Sequence, residues 1–291
     1  MALRAIAKSN RNYERSIRDR VMTQVAAIQM TSGPDVAANL FEAGRLITLA
    51  VESGAKLIVL PENFSMMPMK EADRLGEVEL IDDGHVQKFL ADAARRHKIW
   101  LVGGTVPLAT DAQEKCRSSC LVFNPQGERV ARYDKIHLFD VELNNGEAYT
   151  ESATIEAGED VVVVDTPFGR LGLAICYDLR FPELFRQLSE KGAQILVVPS
   201  CFTALTGSVH WEVLVRARAI ENQAYVLAAA QGGFHANGRE TYGDSMIVDP
   251  WGRITNRLSR GPGIVLSEVN LDLLGDIRKN MPALKHRRMK C

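Results

Sequence analysis

No run of this 291-residue chain approaches the roughly 18 consecutive apolar residues that a membrane-spanning helix needs. Neither sign of charge dominates, since 35 Lys and Arg face 36 Asp and Glu for a net charge of −1, too weak a field to recruit nucleic acid or an anionic membrane. The five cysteines, Cys116, Cys120, Cys176, Cys201 and Cys291, are odd in number and lack both disulfide-rich and zinc-type spacing. Free thiols are expected, one of them reactive. No Pro/Gly/Ser-rich or charged spacer separates the halves between about Thr150 and Val161, so residues 22–291 read as a single domain. With 46% hydrophobic residues, what is left is a globular protein with a sizeable core and a small-molecule partner.

Residues 1–21 carry Arg4, Lys8, Arg11, Arg15, Arg18 and Arg20 against Glu14 and Asp19, without strand alternation or the apolar stretch of a secretory signal. They read as an N-terminal extension outside the fold. A cytoplasmic protein is expected, with mitochondrial targeting by this Arg-rich segment as the alternative.

From Thr23 short apolar runs alternate with helical patterns, the signature of layered α/β structure. The first half predicts strands over 25–30, through Leu57–Pro61 and over 100–106, with a helix over 84–98. The second half repeats that order: strand 171–176, a helix from about Glu183, strand 195–199, helix 209–222 and strand 225–231. GAKLIVLPENF, from Gly54, parallels GAQILVVPSCF, from Gly192. Each half also contains a Pro/Gly hairpin, FNPQGERV and VDPWGRIT. The strands are apolar on both faces, so two related sheets are expected face to face with helices outside, a four-layer αββα sandwich of two pseudo-symmetric halves.

In such folds, chemistry gathers where strands end. Glu62 directly follows LIVLP, where apolar walls suit it either to cap a helix or to act as a base. Lys135 ends ERVARYDK before apolar IHLF and is either a solvated charge or a desolvated cation facing an oxyanion. Cys176 ends LGLAIC ahead of a helix beginning near Pro182, an order that suggests a nucleophile elbow with the Tyr177 N–H aimed at the attacked atom. A buried, inert thiol is the alternative. His137 invites a Cys/His dyad, but nothing in the pattern turns it toward the thiol.

Together LPENF, YDKIHLFD and ICYDLRFPE resemble the three signatures of the nitrilase or carbon–nitrogen hydrolase superfamily, over about Thr23 to Arg288. The resemblance implies a Glu62–Lys135–Cys176 triad and a second glutamate, Glu151 in YTES, with Glu147 as the fallback. It also implies amide hydrolysis through a thioester, yielding a carboxylic acid and ammonia without metal or organic cofactor. Lys135 is expected to favour the thiolate. HWEVLVRARAIENQAYVLAAAQ, YGDSMIVDPWG and RKNMPALKHRR look most like the deaminated glutathione amidase branch, near omega-amidase, whose members act on amides of 2-oxo acids. YGDS departs from the more usual YGHS, which puts a pocket-edge or interface contact at Asp244 in question. Nitrile or N-carbamoyl-amine hydrolysis, and a catalytically idle scaffold on the same fold, are the alternatives.

An anionic substrate needs a cationic clamp, for which Arg180 is the candidate unless it pairs with Glu183 or Asp178. Phe202, Thr203 and Thr206, in the loop matching that of Glu62, are candidates for shaping the acyl pocket. Helix 209–222 packs Trp211, Leu214, Ala217 and Ile220 at helical spacing. The resemblance adds that this helix meets its mate in a homodimer.

Overall fold

The computed structural model describes residues 22–289 except 113, 144 and 145, so the extension expected over 1–21, like Cys291, lies outside the described residues. β1 (Thr23–Gln29) leads into α1 (Val36–Glu52), β2 (Leu57–Val59), α2 (His85–His97) and β3 (Trp100–Val102). β4 (Val106–Ala109), β5 (Cys116–Phe123) and β6 (Arg129–Asp134) follow, then a hairpin of β7 (Asp140–Glu142) and β8 (Ala148–Thr150). The second run is β9 (Val163–Thr166), β10 (Gly169–Leu173), α3 (Pro182–Glu190), β11 (Ile195–Val197), α4 (Ala204–Asn222) and β12 (Tyr225–Ala228). A second hairpin, β13 (Gly232–Phe234) with β14 (Glu240–Tyr242), precedes β15 (Ser245–Val248), β16 (Ile254–Leu258), β17 (Gly263–Val269) and α5 (Leu271–Asn280).

The repeat seen in the sequence is a repeat of topology. One sheet runs β17-β1-β2-β3-β5-β4, with β6 on β5, and the other runs β16-β15-β12-β11-β10-β9. In each, three parallel strands (β1-β2-β3, β10-β11-β12) have an antiparallel strand before the first and an antiparallel hairpin beside the third. The two hairpins turn alike: Asn124 N–H bonds Glu128 O at 3.0 Å and Gly127 N–H bonds Asn124 O at 2.9 Å, while Asp249–Arg253 and Gly252–Asp249 match them at 2.9 Å each. Gly127 (φ 78°) and Gly252 (φ 84°) supply the left-handed exit that the sequence signature required.

Alternation along the strands builds the layers. Val25 and Ala27 of β1, Leu57 and Val59 of β2, and Cys120 and Val122 of β5 join the core shared with the second sheet. Their neighbours Ala26, Ile28, Ile58, Leu121 and Phe123 pack instead with Leu46, Ile47, Leu90 and Ala94 of α1 and α2. On the other side, Leu184, Phe185 and Leu188 of α3 and Trp211, Val215 and Ala219 of α4 cover the second sheet. The result is helix, sheet, sheet, helix.

Several expected elements differ, among them the strand expected over 171–176, which ends at Leu173 so that Cys176 opens a 3-10 turn. α4 begins at Ala204, not 209, because Thr203 caps it, its Oγ1 accepting from Thr206 N–H at 3.2 Å. The strand expected over 100–106 breaks at Gly103–Gly104. At Gly104 (φ 52°) a Cβ would lie 2.1 Å from the Pro61 carbonyl, so only glycine permits the chain to pass the Glu62 loop. β12 stops at Ala228, its apolar run continuing as isolated bridges toward Gln231.

Candidate active site

At the ends of β2 and β10, and beyond β6, side chains converge on a pocket of about 520 Å³. Glu62 is buried, and its backbone carbonyl accepts from Gln231 Nε2 at 3.0 Å, tying the first strand exit to the second half. Lys135, also buried, follows β6, with its N–H on Ser118 O. Its Nζ donates to Glu62 Oε1 at 2.8 Å and to both carboxylate oxygens of Glu151 at 2.9 Å. Glu151 opens a short 3-10 turn after β8 and accepts from the Phe139 N–H at 2.7 Å as well. It is therefore Glu151 that reaches Lys135; Glu147 takes the Tyr149 hydroxyl at 2.8 Å.

Cys176 begins the 3-10 turn Cys176–Arg180 with φ 45°, a left-handed conformation that a non-glycine residue adopts only when its surroundings enforce it. Two contacts enforce it. The Cys176 N–H bonds Pro199 O at 2.9 Å, and the Cys201 N–H approaches Cys176 Sγ at 3.4 Å. Beneath the turn, Asp178 is fully buried and accepts from the Tyr133 hydroxyl (2.6 Å), the Ile175 N–H (2.8 Å) and the His137 N–H (3.1 Å). His137 Nδ1 meets the same carboxylate at 2.7 Å, and its ring stacks on Phe181 at 3.6 Å. His137 thus braces the lysine segment against the cysteine turn through Asp178.

The electrostatics correct one expectation. Burial and the neighbouring Glu62 push the Cys176 thiol well above its ordinary value, and the opposing pull of Lys135 does not overcome them. This environment favours the thiol over the thiolate, the reverse of what Lys135 alone would do. Lys135 is held well above its ordinary value because Glu151 and Glu62 outweigh its desolvation. Glu151, despite burial, is held below 4.5 by Lys135 and by the Phe139 N–H.

The remaining expected residues also line the pocket: Tyr177, Arg180, Phe202, Thr203 and Thr206. Arg180 pairs with neither Glu183 nor Asp178. Its Nη1 lies 3.1 Å from His210 Nδ1, and its guanidinium stands 5.8 and 5.2 Å from the Tyr177 and Phe202 ring centres. Asp244 is not among the lining residues; buried, it pairs with Arg257, and its carbonyl takes the Trp211 indole at 2.7 Å. Among the lining residues that sequence reasoning missed are Arg74, Tyr149, Cys201 and Arg239. Arg74 bonds Glu71 at 2.7 Å.

Residues 24–279 match the carbon-nitrogen hydrolase family. The chain belongs to that family. This carbon–nitrogen hydrolase is 46% identical over 265 residues to the deaminated glutathione amidase of Synechocystis sp., covering 90% of this chain and 97% of that one. Its fold matches the Nit3 protein of Saccharomyces cerevisiae, a member of branch 10 of the nitrilase superfamily, at a TM-score of 0.83 and 34% identity, covering 92% of this chain and 97% of that chain. The NitFhit protein of C. elegans also matches at 0.83 with 38% identity; the overlap is 92% of the hydrolase but only 65% of that longer chain.

Proposed function

We propose that this hydrolase cleaves the amide of a 2-oxo acid, deaminated glutathione first among them, through a Cys176 thioester. The single observation that carries the reading is the buried Glu62–Lys135–Glu151 cluster in one pocket with Cys176, held at a φ of 45°. A neutral thiol needs a base, and Glu62 is the carboxylate that acts on it most strongly. Glu62 takes the thiol proton as Sγ attacks the carbonyl carbon, and Lys135 with the Tyr177 N–H stabilises the oxyanion, each donor worth about 3–4 kcal/mol. The same proton passes to the departing nitrogen. Glu62 then deprotonates the water that opens the thioester, and Glu151 keeps the ammonium of Lys135 in place throughout. A primary amide releases ammonia; deaminated glutathione, whose amide nitrogen carries a peptide, releases an amine.

Product release should be compared across deaminated glutathione, 2-oxoglutaramate, simple nitriles and N-carbamoyl amines at equal concentration. The expected order puts the two 2-oxo acid amides first, by at least about tenfold in kcat/KM, a margin of about 1.4 kcal/mol. A preference for nitriles or carbamoyl amines would overturn the substrate assignment, and no turnover of any would favour the idle scaffold.

The protein is further proposed to be a homodimer through α4. Leu205, Val209, Val213 and Ile220 are all exposed and fall within one quadrant of the helix, on a different face from buried Trp211, Val215 and Ala219. Val213→Glu with Val209→Glu should convert a dimer to a monomer in sedimentation analysis. A wild-type protein sedimenting as a monomer would remove the proposal.

A further inference from the structure

Charges in the pocket do not all pair off. Lys135 has Glu62 and Glu151, and Arg74 has Glu71. Arg180 and Arg239 pair with no carboxylate among the described residues. Arg180 leans on aromatic rings beside solvent-exposed His210. Arg239 is sunk more deeply: Nη2 donates to the Cys201 carbonyl at 2.7 Å, the guanidinium lies 4.9 Å from the Tyr149 ring centre, and Nε is buried without an acceptor. The Arg239 side chain is half-buried, and its buried, unmet Nε–H is costly unless an acceptor, best an anion, completes it. The residue that takes its hydrogen bond, Cys201, is the one whose N–H faces Cys176 Sγ. An anion on Arg239 would therefore sit beside the reacting centre.

The segment carrying Arg239 is held stiffly. It closes the β13–β14 hairpin, where its own N–H bonds Asn237 Oδ1 at 3.0 Å and Asn237 Nδ2 bonds Pro68 O at 2.8 Å. His235 links Ser32 O (2.8 Å) to Thr241 Oγ1 (2.7 Å), and the Tyr242 N–H bonds Phe202 O at 3.0 Å. A donor already fixed in place loses little entropy on binding.

We propose that Arg239 is an inner carboxylate anchor that sets a preference for anionic over neutral amides, in addition to the outer cation Arg180. The proposal rests on the amidase reading and names its substrate class: amides bearing a carboxylate on the acyl side. Deaminated glutathione has one at each end, matching the two unpaired arginines in number.

The test has two arms. In the first, kcat/KM for 2-oxoglutaramate and for neutral pentanamide is measured in wild type, Arg239→Met and Arg239→Lys. The charged-to-neutral ratio should fall roughly 100-fold in Arg239→Met, mainly through KM, with partial recovery in Arg239→Lys. In the second, calorimetry measures 2-oxoglutarate binding to Cys176→Ala protein with and without Arg239→Met, which requires no turnover and should show a similar loss. An unchanged ratio, or undiminished 2-oxoglutarate binding, overturns the anchor. Arg239-dependent binding in a protein that hydrolyses no amide would overturn the amidase reading and leave the anchor standing.

Discussion

Cys176→Ala should yield a folded protein whose turnover is at least about 10⁴-fold lower than wild type, with no burst of amine or ammonia. The pocket holds a second thiol, Cys201, but its side chain is pushed up to about 11 by burial, and its N–H, not its sulfur, is what approaches the site of attack. His137 is committed to Asp178 and stacked on Phe181, so it does not inherit the role. Stability should change by no more than about 1 kcal/mol, because alanine keeps the same φ of 45° and loses only a small sulfur from a mostly buried position. Circular dichroism and a melting curve verify the fold, and a product assay verifies the loss. Residual turnover above about one per cent of wild type would remove the thioester mechanism.

Lys135→Met should be both inactive and unstable. Removing the ammonium leaves Glu62 and Glu151 buried together without the cation they both pair with, a situation that typically costs about 3–5 kcal/mol. For a chain of this size that corresponds to a fall in melting temperature of about 10 °C. The pH dependence gives the sign. In wild type, Glu151 is held below its ordinary 4.5, so its contribution to stability is complete above about that pH and fades as pH drops through the lowered value. Lys135 is held above its ordinary 10.5, so its contribution is complete below that pH and is lost only in strong alkali. Without the lysine, two adjacent carboxylates drive one proton affinity upward, and the variant's deficit should shrink as pH falls. A deficit that is constant with pH would mean the cluster is not the cause.

Much of this arrangement was legible in the chain because it is carried by local pattern. LIVLP and ILVVP announced two buried strands, and their shared flanks announced two copies of one topology, since alternation and turn chemistry act within a few residues. The three motif residues were legible as a group because each lies within three residues of a strand's end, at Val59, Asp134 and Leu173. α4's start was not, because Thr203 looks like ordinary loop and its capping role depends on the backbone it meets. The state of the thiol was misjudged for a related reason: Lys135 was visible as a charge, while the burial and the carboxylate that outweigh it belong to the assembled pocket. Arg239 gave no signal, since nothing about HANGR distinguishes a solvated hairpin tip from one folded over Cys201 and Tyr149.

β17 adds a consequence in time. It pairs antiparallel with β1 over seven residues, Thr23↔Val269 through Gln29↔Gly263, so the strand completing the first sheet beside β1 lies near the far end of the chain. During synthesis, β1 emerges before β17 and must wait for every strand of the second sheet to be made before its outer edge is covered. Gln231, which holds the backbone of Glu62, also arrives late. Catalytic competence should therefore appear only after β17 has been made and has docked on β1, and a nascent chain stalled before β17 should present β1 as an open edge to chaperones.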